Sequence, residues 1–382
     1  MKIINLSSIA NPISISVQNP SRSDYDRFIG LEHYDSGEPV ITRFQGTELL
    51  TTSAKAFKAN DILIARRNVY LKRAGIVFFD GITSGDSIIL RLKEDTQKTI
   101  GYSREDLIRY IPFMLNSEHF WIYANKHADG MNSKRISKDT LLEYEFELPS
   151  IDEMRDISDK LWAAYRLKEA YKKLLVTTDE MVKSQFIEMF GNPLSLNQKN
   201  ELKRLGECCI LNPRRPNIAL CDTDKVSFIP MPAVSEDGYL VDMTDEEYGK
   251  VKKSFTYFEN NDVLFAKITP CMENGKGAIV HGLTNGIGMG STEFHVLRPI
   301  NGISSPYWLL ALTRMPIFRE RAAKNMSGTG GQKRVSASYL DHFMVGLPAI
   351  EEQRRFEAIY RQADKSKFGD FKSQFIEMFG NP

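Results

Sequence analysis

Long apolar runs are absent from this chain of 382 residues: a stretch such as residues 76–79 spans a few side chains, against the ~20 that a membrane helix needs. The opening residues Met1-Lys2-Ile3-Ile4-Asn5-Leu6-Ser7 are broken by polar side chains and lack a secretory apolar core, so a cytoplasmic protein with no membrane partner is expected. The four cysteines, Cys208, Cys209, Cys221 and Cys271, form no C-x-x-C pair, which leaves them as buried or idle thiols rather than a zinc or redox motif. His33, His119, His127, His281, His295 and His342 have no metal-ligand spacing. No Asn-Pro-Pro-Tyr or Asp-Pro-Pro-Tyr tetrapeptide serves amino-methyl transfer, since Asn11-Pro12, Asn192-Pro193 and Asn212-Pro213 each continue differently. Residues 328–333 lack Walker spacing and a hydroxyl residue after the lysine, and Gly286-Ile287-Gly288-Met289-Gly290 reads as a turn because no strand–turn–helix frame surrounds it. No catalytic residue is therefore expected. A formal net charge of +1 gives no global pull toward nucleic acid, so a reader of nucleic acid must gather its basic residues on one face.

What the chain does have is repetition. Lys183-Ser184-Gln185-Phe186-Ile187-Glu188-Met189-Phe190-Gly191-Asn192-Pro193 recurs without change at residues 372–382. Weaker echoes organise the rest. Asn60-Asp61-Ile62-Leu63 matches Asn261-Asp262-Val263-Leu264, and residues 84–91 match 291–298, from Ser84-Gly85-Asp86 and Ser291-Thr292-Glu293 to Leu90-Arg91 and Leu297-Arg298. Lys134-Arg135-Ile136-Ser137, with Leu148-Pro149 further on, returns as Lys333-Arg334-Val335-Ser336 and Leu347-Pro348.

Each unit reads as a mixed domain followed by a long helix. Residues 61–64, 75–79 and 88–92, with 262–266, 278–280 and 294–297 in the second unit, are short β-branched and aromatic runs bounded by Gly, Asp and Ser, as strands are. Residues 102–115 and 306–322 carry helical patterns. Each Leu-Pro closes its domain, and charge-rich helices over 152–190 and 351–379 follow, stopped by Gly-Asn-Pro. The apolar stripe Ile157, Leu161, Ala164, Tyr171, Leu175, Val182, Met189, echoed by Phe356, Tyr360 and Ala363, favours pairing of the two helices, although such a stripe more often faces a domain core. The second helix is ten residues shorter, the loss falling near Gly369.

The order domain, Leu-Pro, helix, repeated twice over nearly the whole chain, resembles the specificity subunits of type I restriction–modification systems. The resemblance rests on the two Asn-Asp-(Ile/Val)-Leu strands, on the Leu-Pro pairs with the Glu153-x-Arg155 and Glu351-Glu352-Gln353-Arg354 helix starts, and on the duplicated Ser-Gln-Phe-Ile-Glu-Met-Phe-Gly. It implies an α+β chain with an internal pseudo-twofold repeat. Target-recognition domains would occupy 1–150 and 194–349, separated by two long antiparallel, coiled-coil-like helices at 151–193 and 350–382. It further implies double-stranded DNA as ligand, each domain reading half of a bipartite site while the helices set the spacer. Two methyltransferase (M) subunits carrying S-adenosylmethionine would dock, and restriction (R) subunits would complete the assembly. The first unit departs from the pattern, with Ile151-Asp152-Glu153-Met154 where the second has Ile350-Glu351-Glu352-Gln353.

A DNA reader needs phosphate contacts for affinity and base-edge contacts for sequence. Asn132-Ser133-Lys134-Arg135 and Gln332-Lys333-Arg334 follow glycine-containing turns, at Gly130 and at Gly328-Thr329-Gly330-Gly331, that let backbone approach the duplex. Their Lys and Arg suit phosphate or guanine, and the amides of Asn132 and Gln332 suit adenine. Arg66, Arg67, Lys72 and Arg73 after the first Asn-Asp strand, Lys267 and Lys276 after the second, and Arg214-Arg215 are further candidates; solvated surface charge is the alternative for all of them. Two rival classes stay open: an enzyme in which a nuclease or methyltransferase is fused to a reader, and an interaction scaffold that uses its helices without DNA.

Overall fold

A computed structural model describes residues 2–131, 133–191, 201–329 and 331–379, with side chains described as far as residue 364. Asn132, Gly330, the Asn192-Pro193 end of the first repeat copy and the side chains of the second copy lie outside the described residues. The chain divides into two compact units, Met1–Glu169 and Ala170–Pro382, so the division falls inside the first long helix.

In the first unit the opening strand Lys2–Asn5 pairs antiparallel with Glu145–Leu148, the strand that ends in the Leu-Pro signal. Between them a four-stranded sheet runs in the order Ala10–Ile13, Ser87–Leu92, Ile62–Ala65, Ala74–Ile76. Strand Ile62–Ala65 is buried along its whole length, which is why its sequence is a continuous apolar run rather than an alternating one. Its side chains alternate between two cores. Ile62 and Ile64 face the helical layer of Leu107, Ile111, Phe120 and Trp121, while Leu63 and Ala65 face Ile29, Tyr34 and Phe57. A second sheet, ordered Ile15–Val17, Ala54–Phe57, Gly81–Thr83, Phe28–Ile29, supplies much of that other side.

The second unit uses the same plan. Glu201–Arg204 pairs with Met344–Leu347, and a sheet runs Cys209–Leu211, Phe294–Pro299, Val263–Ala266, Gly277–Ile279. The second sheet runs Thr244–Glu247, Lys225–Ile229, Ile287–Gly290, Thr256–Glu259. Three of its strands match the first unit, but the fourth is added on the opposite side: Ile15–Val17 pairs with Ala54–Phe57, whereas Thr244–Glu247 pairs with Lys225–Ile229.

The shared Asn-Asp motif is a fold device. Asn60 and Asn261 take left-handed φ values of 68° and 71°, which asparagine tolerates better than most side chains. The following aspartates, each 1% exposed, stop the turn. Asp61 accepts the Lys58 N–H at 2.8 Å and both Nε and Nη2 of Arg91 at 2.7 Å. Asp262 does the same with Glu259 N–H, at 2.8 Å, and with Arg298 Nε and Nη2, both at 2.8 Å. A buried carboxylate holding a bidentate arginine is strongly destabilising to break, because the partner charge is left uncompensated.

Several expectations need correcting. Gly288 and Gly290 lie in a strand, not a turn: a Cβ on Gly288 would sit 2.0 Å from the Phe258 ring, and one on Gly290 would sit 2.5 Å from the Ile229 carbonyl. The expected helix at 306–322 is two, Pro306–Arg314 and Pro316–Lys324, because Pro316 starts a new first turn. The expected helix at 102–115 is Arg104–Met114, capped by the Ser103 hydroxyl.

The long helices are Ile151–Phe190, 40 residues, and Ile350–Phe379, 30 residues. Gly191, at a φ of 67°, provides the left-handed stop of the first. The expected pairing stripe fails over its opening turns. Ile157 is exposed, and Leu161 and Ala164 are only half-buried. There the helix turns Met154, Trp162 and Tyr165 onto the first unit's core, and the Trp162 indole N–H donates to the Arg109 carbonyl at 2.9 Å. Tyr171 and Leu175 are half-buried too. Val182, Phe186 and Phe190, by contrast, are buried with Phe356, Tyr360 and Ala363 in the second unit's core, with Phe186 and Phe190 edge-on to Phe356 at 5.3 and 5.6 Å.

The helix starts differ in chemistry. Ser150 and Glu153 form a capping box, and Arg155 grips Asp106 at 2.9 and 3.0 Å. In the second helix the buried Gln353 does this work: its amide donates to Ile303 and Pro348 carbonyls and accepts the Ser305 N–H, each at 2.9 Å.

Candidate nucleic-acid interface

Sequence separates the basic segment after each Asn-Asp strand from the Lys-Arg loop, and the fold joins them. In the first unit the Ile136 N–H donates to the Arg66 carbonyl at 3.0 Å, and the Asn68 N–H donates to the Lys134 carbonyl at 2.7 Å. Arg67 bridges to Arg135 along the backbone, and its Nε donates to Ser133 Oγ at 2.9 Å. Ser133 Oγ donates in turn to Asn68 Oδ1 at 3.1 Å. The second unit repeats this frame: Val335 N–H to Lys267 carbonyl at 2.9 Å, Thr269 N–H to Lys333 carbonyl at 3.0 Å, and an Ile268–Arg334 bridge. Both loops close tightly on glycine. A Cβ on Gly130 would meet the Ser133 carbonyl at 2.9 Å, and one on Gly328 would meet that of Gln332 at 2.5 Å. Ile136 and Val335 are buried behind the loops, and Ser137 and Ser336 cap the short helices Lys138–Leu142 and Ala337–Asp341.

The candidates do not stand in equal positions. Lys134, Arg135, Gln332 and Lys333 are exposed. Arg334 is committed to Glu293, its Nε and Nη2 lying 2.9 and 2.8 Å from the carboxylate oxygens. These hydrogen bonds hold the Glu293 carboxyl below its ordinary pKa and push Arg334 up. Lys72 pairs with Glu118 at 2.7 Å, and Arg73 turns inward to the carbonyls of Leu31 and Arg67 at 3.0 and 3.1 Å, so both brace the loop. Lys276 sits beside Lys267, its carbonyl accepting the Ala266 N–H at 3.1 Å. Arg215 is elsewhere, donating to the Lys252 carbonyl and lying over the Tyr248 ring.

Three residues that sequence reasoning passed over belong to the cluster. Lys55 reaches the Gly85 and Ser87 carbonyls at 3.0 Å, and burial, then the nearby Arg66 charge, lowers its pKa. Asp86 lies 3.6 Å from Arg67 Nη1 and 3.9 Å from Arg135 Nη2. Glu293 holds the same place in the second unit, and both carbonyls accept the same backbone N–H, Arg66 to Asp86 and Lys267 to Glu293, at 2.9 Å. The signal for the acids was present in the aligned Ser84-Gly85-Asp86 and Ser291-Thr292-Glu293. Lys55 had none, because it arrives by pairing of its strand with Thr83.

Residues 197–367 match the family model of the type I restriction modification DNA specificity domain. The chain is 42% identical over 136 residues to the type I restriction enzyme EcoAI specificity subunit of Escherichia coli, covering 35% of this chain and 23% of that protein. It is 37% identical over 166 residues to the EcoEI specificity subunit of the same organism, covering 43% and 27%. These alignments thus span about a quarter of the curated relatives' length. Among solved structures, the S subunit of a type I restriction–modification system from M. genitalium shares the fold: TM-score 0.58 at 14% identity, over 99% of this chain and 92% of that one. Residues 197–367 are thus similar to the DNA specificity domain of type I restriction–modification systems.

Proposed function

We propose that this chain is the non-catalytic DNA reader of a type I restriction–modification complex, each unit reading one half of a bipartite duplex site. The observation that carries this reading is the duplicated frame in which an exposed Lys-Arg loop is hydrogen-bonded to the basic exit of a buried strand. Exposed Lys134, Arg135 and Lys333 neutralise phosphates, while the tight glycine turns bring Gln332 and the loop backbone close to base edges. Recognition domains at 1–150 and 194–349, joined by the helical segments 151–193 and 350–382, remain the working division. The helices run antiparallel and set the half-site spacing, and their outer faces dock two methyltransferase subunits that carry S-adenosylmethionine; restriction subunits join for cleavage. The packing of Phe186 and Phe190 on Phe356, with Asp179 and Val182 lining the same cavity as Tyr360, supports an antiparallel arrangement at the end that is described.

The test is reconstitution with methyltransferase subunits and genome-wide mapping of methylated adenines. The chain alone neither methylates nor cuts DNA. Lys134→Ala with Arg135→Ala relaxes one half-site and Lys333→Ala with Arg334→Ala the other, by roughly 1–3 kcal/mol where a base contact is lost. Equal loss on both half-sites from either double variant would refute independent readers. Methyl incorporation by the isolated chain would refute the division of labour.

A further inference from the structure

Each candidate loop is built around one carboxylate that phosphate binding alone would not want. In the second unit Glu293 ties the segment of Lys267 to the Lys-Arg loop. Its carbonyl accepts the Lys267 N–H at 2.9 Å, and its carboxylate takes two donors of Arg334. Arg334 exchanges both backbone hydrogen bonds with Ser327, at 3.0 and 2.8 Å, so the loop closes on the residue that Glu293 grips. Asp86 occupies the same place in the first unit, its carbonyl on the Arg66 N–H and its carboxylate between Arg67 and Arg135. Arg135 in turn exchanges hydrogen bonds with Asp129, at 2.9 and 2.8 Å.

A negative charge here repels the phosphates that the neighbouring lysines attract, so it lowers affinity for any duplex. It also removes rotamer freedom from the arginine it holds, which otherwise sweeps a long flexible side chain over many geometries. With Nε and Nη2 held by Glu293, the side-on fork of Arg334 is occupied, and Nη1 lies 3.3 Å from the Gln332 carbonyl. It shapes the loop that presents Gln332 and Lys333. The shorter Asp86 stands beyond hydrogen-bond range of both arginines, which leaves the Arg135 fork available.

Resting on the proposed reading, we infer that Asp86 and Glu293 set sequence discrimination at the expense of affinity: Glu293 is a positioning residue that fixes its recognition loop, and both acids screen their loops from random phosphate contact. The test compares Glu293→Gln, Glu293→Asp and Asp86→Asn with the parent chain, all in complex with methyltransferase subunits. Random-sequence duplex and the mapped site serve as probes.

Glu293→Gln is expected to raise random-duplex affinity roughly 3- to 10-fold at low salt, the size of one Coulombic contact screened by bulk water. It is also expected to steepen the salt dependence by about one ion. Methylation should spread to sites altered only in the half read by the second unit. Glu293→Asp should restore much of the parent discrimination. Asp86→Asn breaks no hydrogen bond of the carboxylate to arginine, so it tests the screening charge even where Glu293→Gln folds poorly; it should relax the other half-site alone. Parent-like discrimination in both neutral variants would overturn the inference, as would proportional weakening on specific and random DNA with an unchanged salt slope. A parent complex that shows no half-site discrimination would instead sink the reading on which it rests.

Discussion

The two units carry the same loop on the same frame and surround it with different charge. Lys55, Arg67 and Lys138 in the first unit correspond to Thr256, Ile268 and Ala337 in the second. The assignment follows from the facing residues Thr83 and Gly290, the bridges to Arg135 and Arg334, and the positions after Ser137 and Ser336. Three cations are therefore lost at equivalent places, and the remaining acid changes from a shared Asp86 to a fully engaged Glu293. The fold keeps the hydrogen-bonded frame because it is made from backbone, and varies the charge because that is made from side chains at the rim. On the proposed reading, the first unit holds phosphate more tightly and the second presents a more rigid, less charged edge.

The largest expected effect breaks the frame itself. Asp61→Ala and Asp262→Ala both orphan a bidentate arginine, a loss of about 3–5 kcal/mol where no other partner exists. Arg298 retains Glu259 at 3.1 Å, whereas no second acid within ion-pair distance is described for Arg91. Asp61→Ala is therefore expected to be the worse of the two. Native-state hydrogen exchange in strands Ile62–Ala65 and Val263–Ala266 reads each unit separately, and equal losses would erase the distinction. Next in size, Lys55→Thr, Arg67→Ile and Lys138→Ala together convert the first cluster to the charge of the second. The slope of log affinity against log salt should become shallower by up to about 2.7 for DNA read by the first unit. A slope that does not move would mean that these cations face solvent and not DNA.

The smallest effect concerns acid. Hydrogen bonds from Arg155 hold the Asp106 carboxyl below its ordinary value. Its stabilisation of the first helix start is thus complete above the unfolded pKa of ~4 and is lost as pH falls through the lower folded value. The second helix start, held by the uncharged Gln353, has no such contribution. Acidification should raise exchange at residues 151–158, corrected for intrinsic rate, before it does so at 350–357, and Asp106→Asn should narrow the difference, leaving the part that the Glu153 capping box contributes. Parallel loosening of both helix starts would contradict this assignment.

Much of this architecture was legible because local chemistry and tertiary role coincide. Asn60-Asp61 and Asn261-Asp262 marked the start of a strand, and Gly191 announced a helix stop. The opening turns of the first long helix were misread because three-and-four spacing serves a domain core and a partner helix alike; the sequence has no mark to say that Trp162 meets Arg109. Gly288 was misread because its reason is the Phe258 ring, which belongs to another strand. At the candidate site the Lys-Arg loops were visible as motifs. Their union with Arg66 and Lys267, and the arrival of Lys55, depend on strand pairing that spacing does not encode.

The second sheets hold one more consequence. Among the described residues, a single bridge to Gln45 meets the outer side of Phe28–Ile29 in the first unit, and in the second no strand pairs with the outer side of Thr256–Glu259. Each unit thus leaves open the border that its counterpart covers. For an engineer this is a platform with two sockets, each filled in one copy. The hairpin of Lys225–Ile229 and Thr244–Glu247 supplies the graft for the first unit, and Ile15–Val17 supplies the one for the second. New loops can be hung from these borders while the Lys-Arg frame, made on the other sheet, is left as it is.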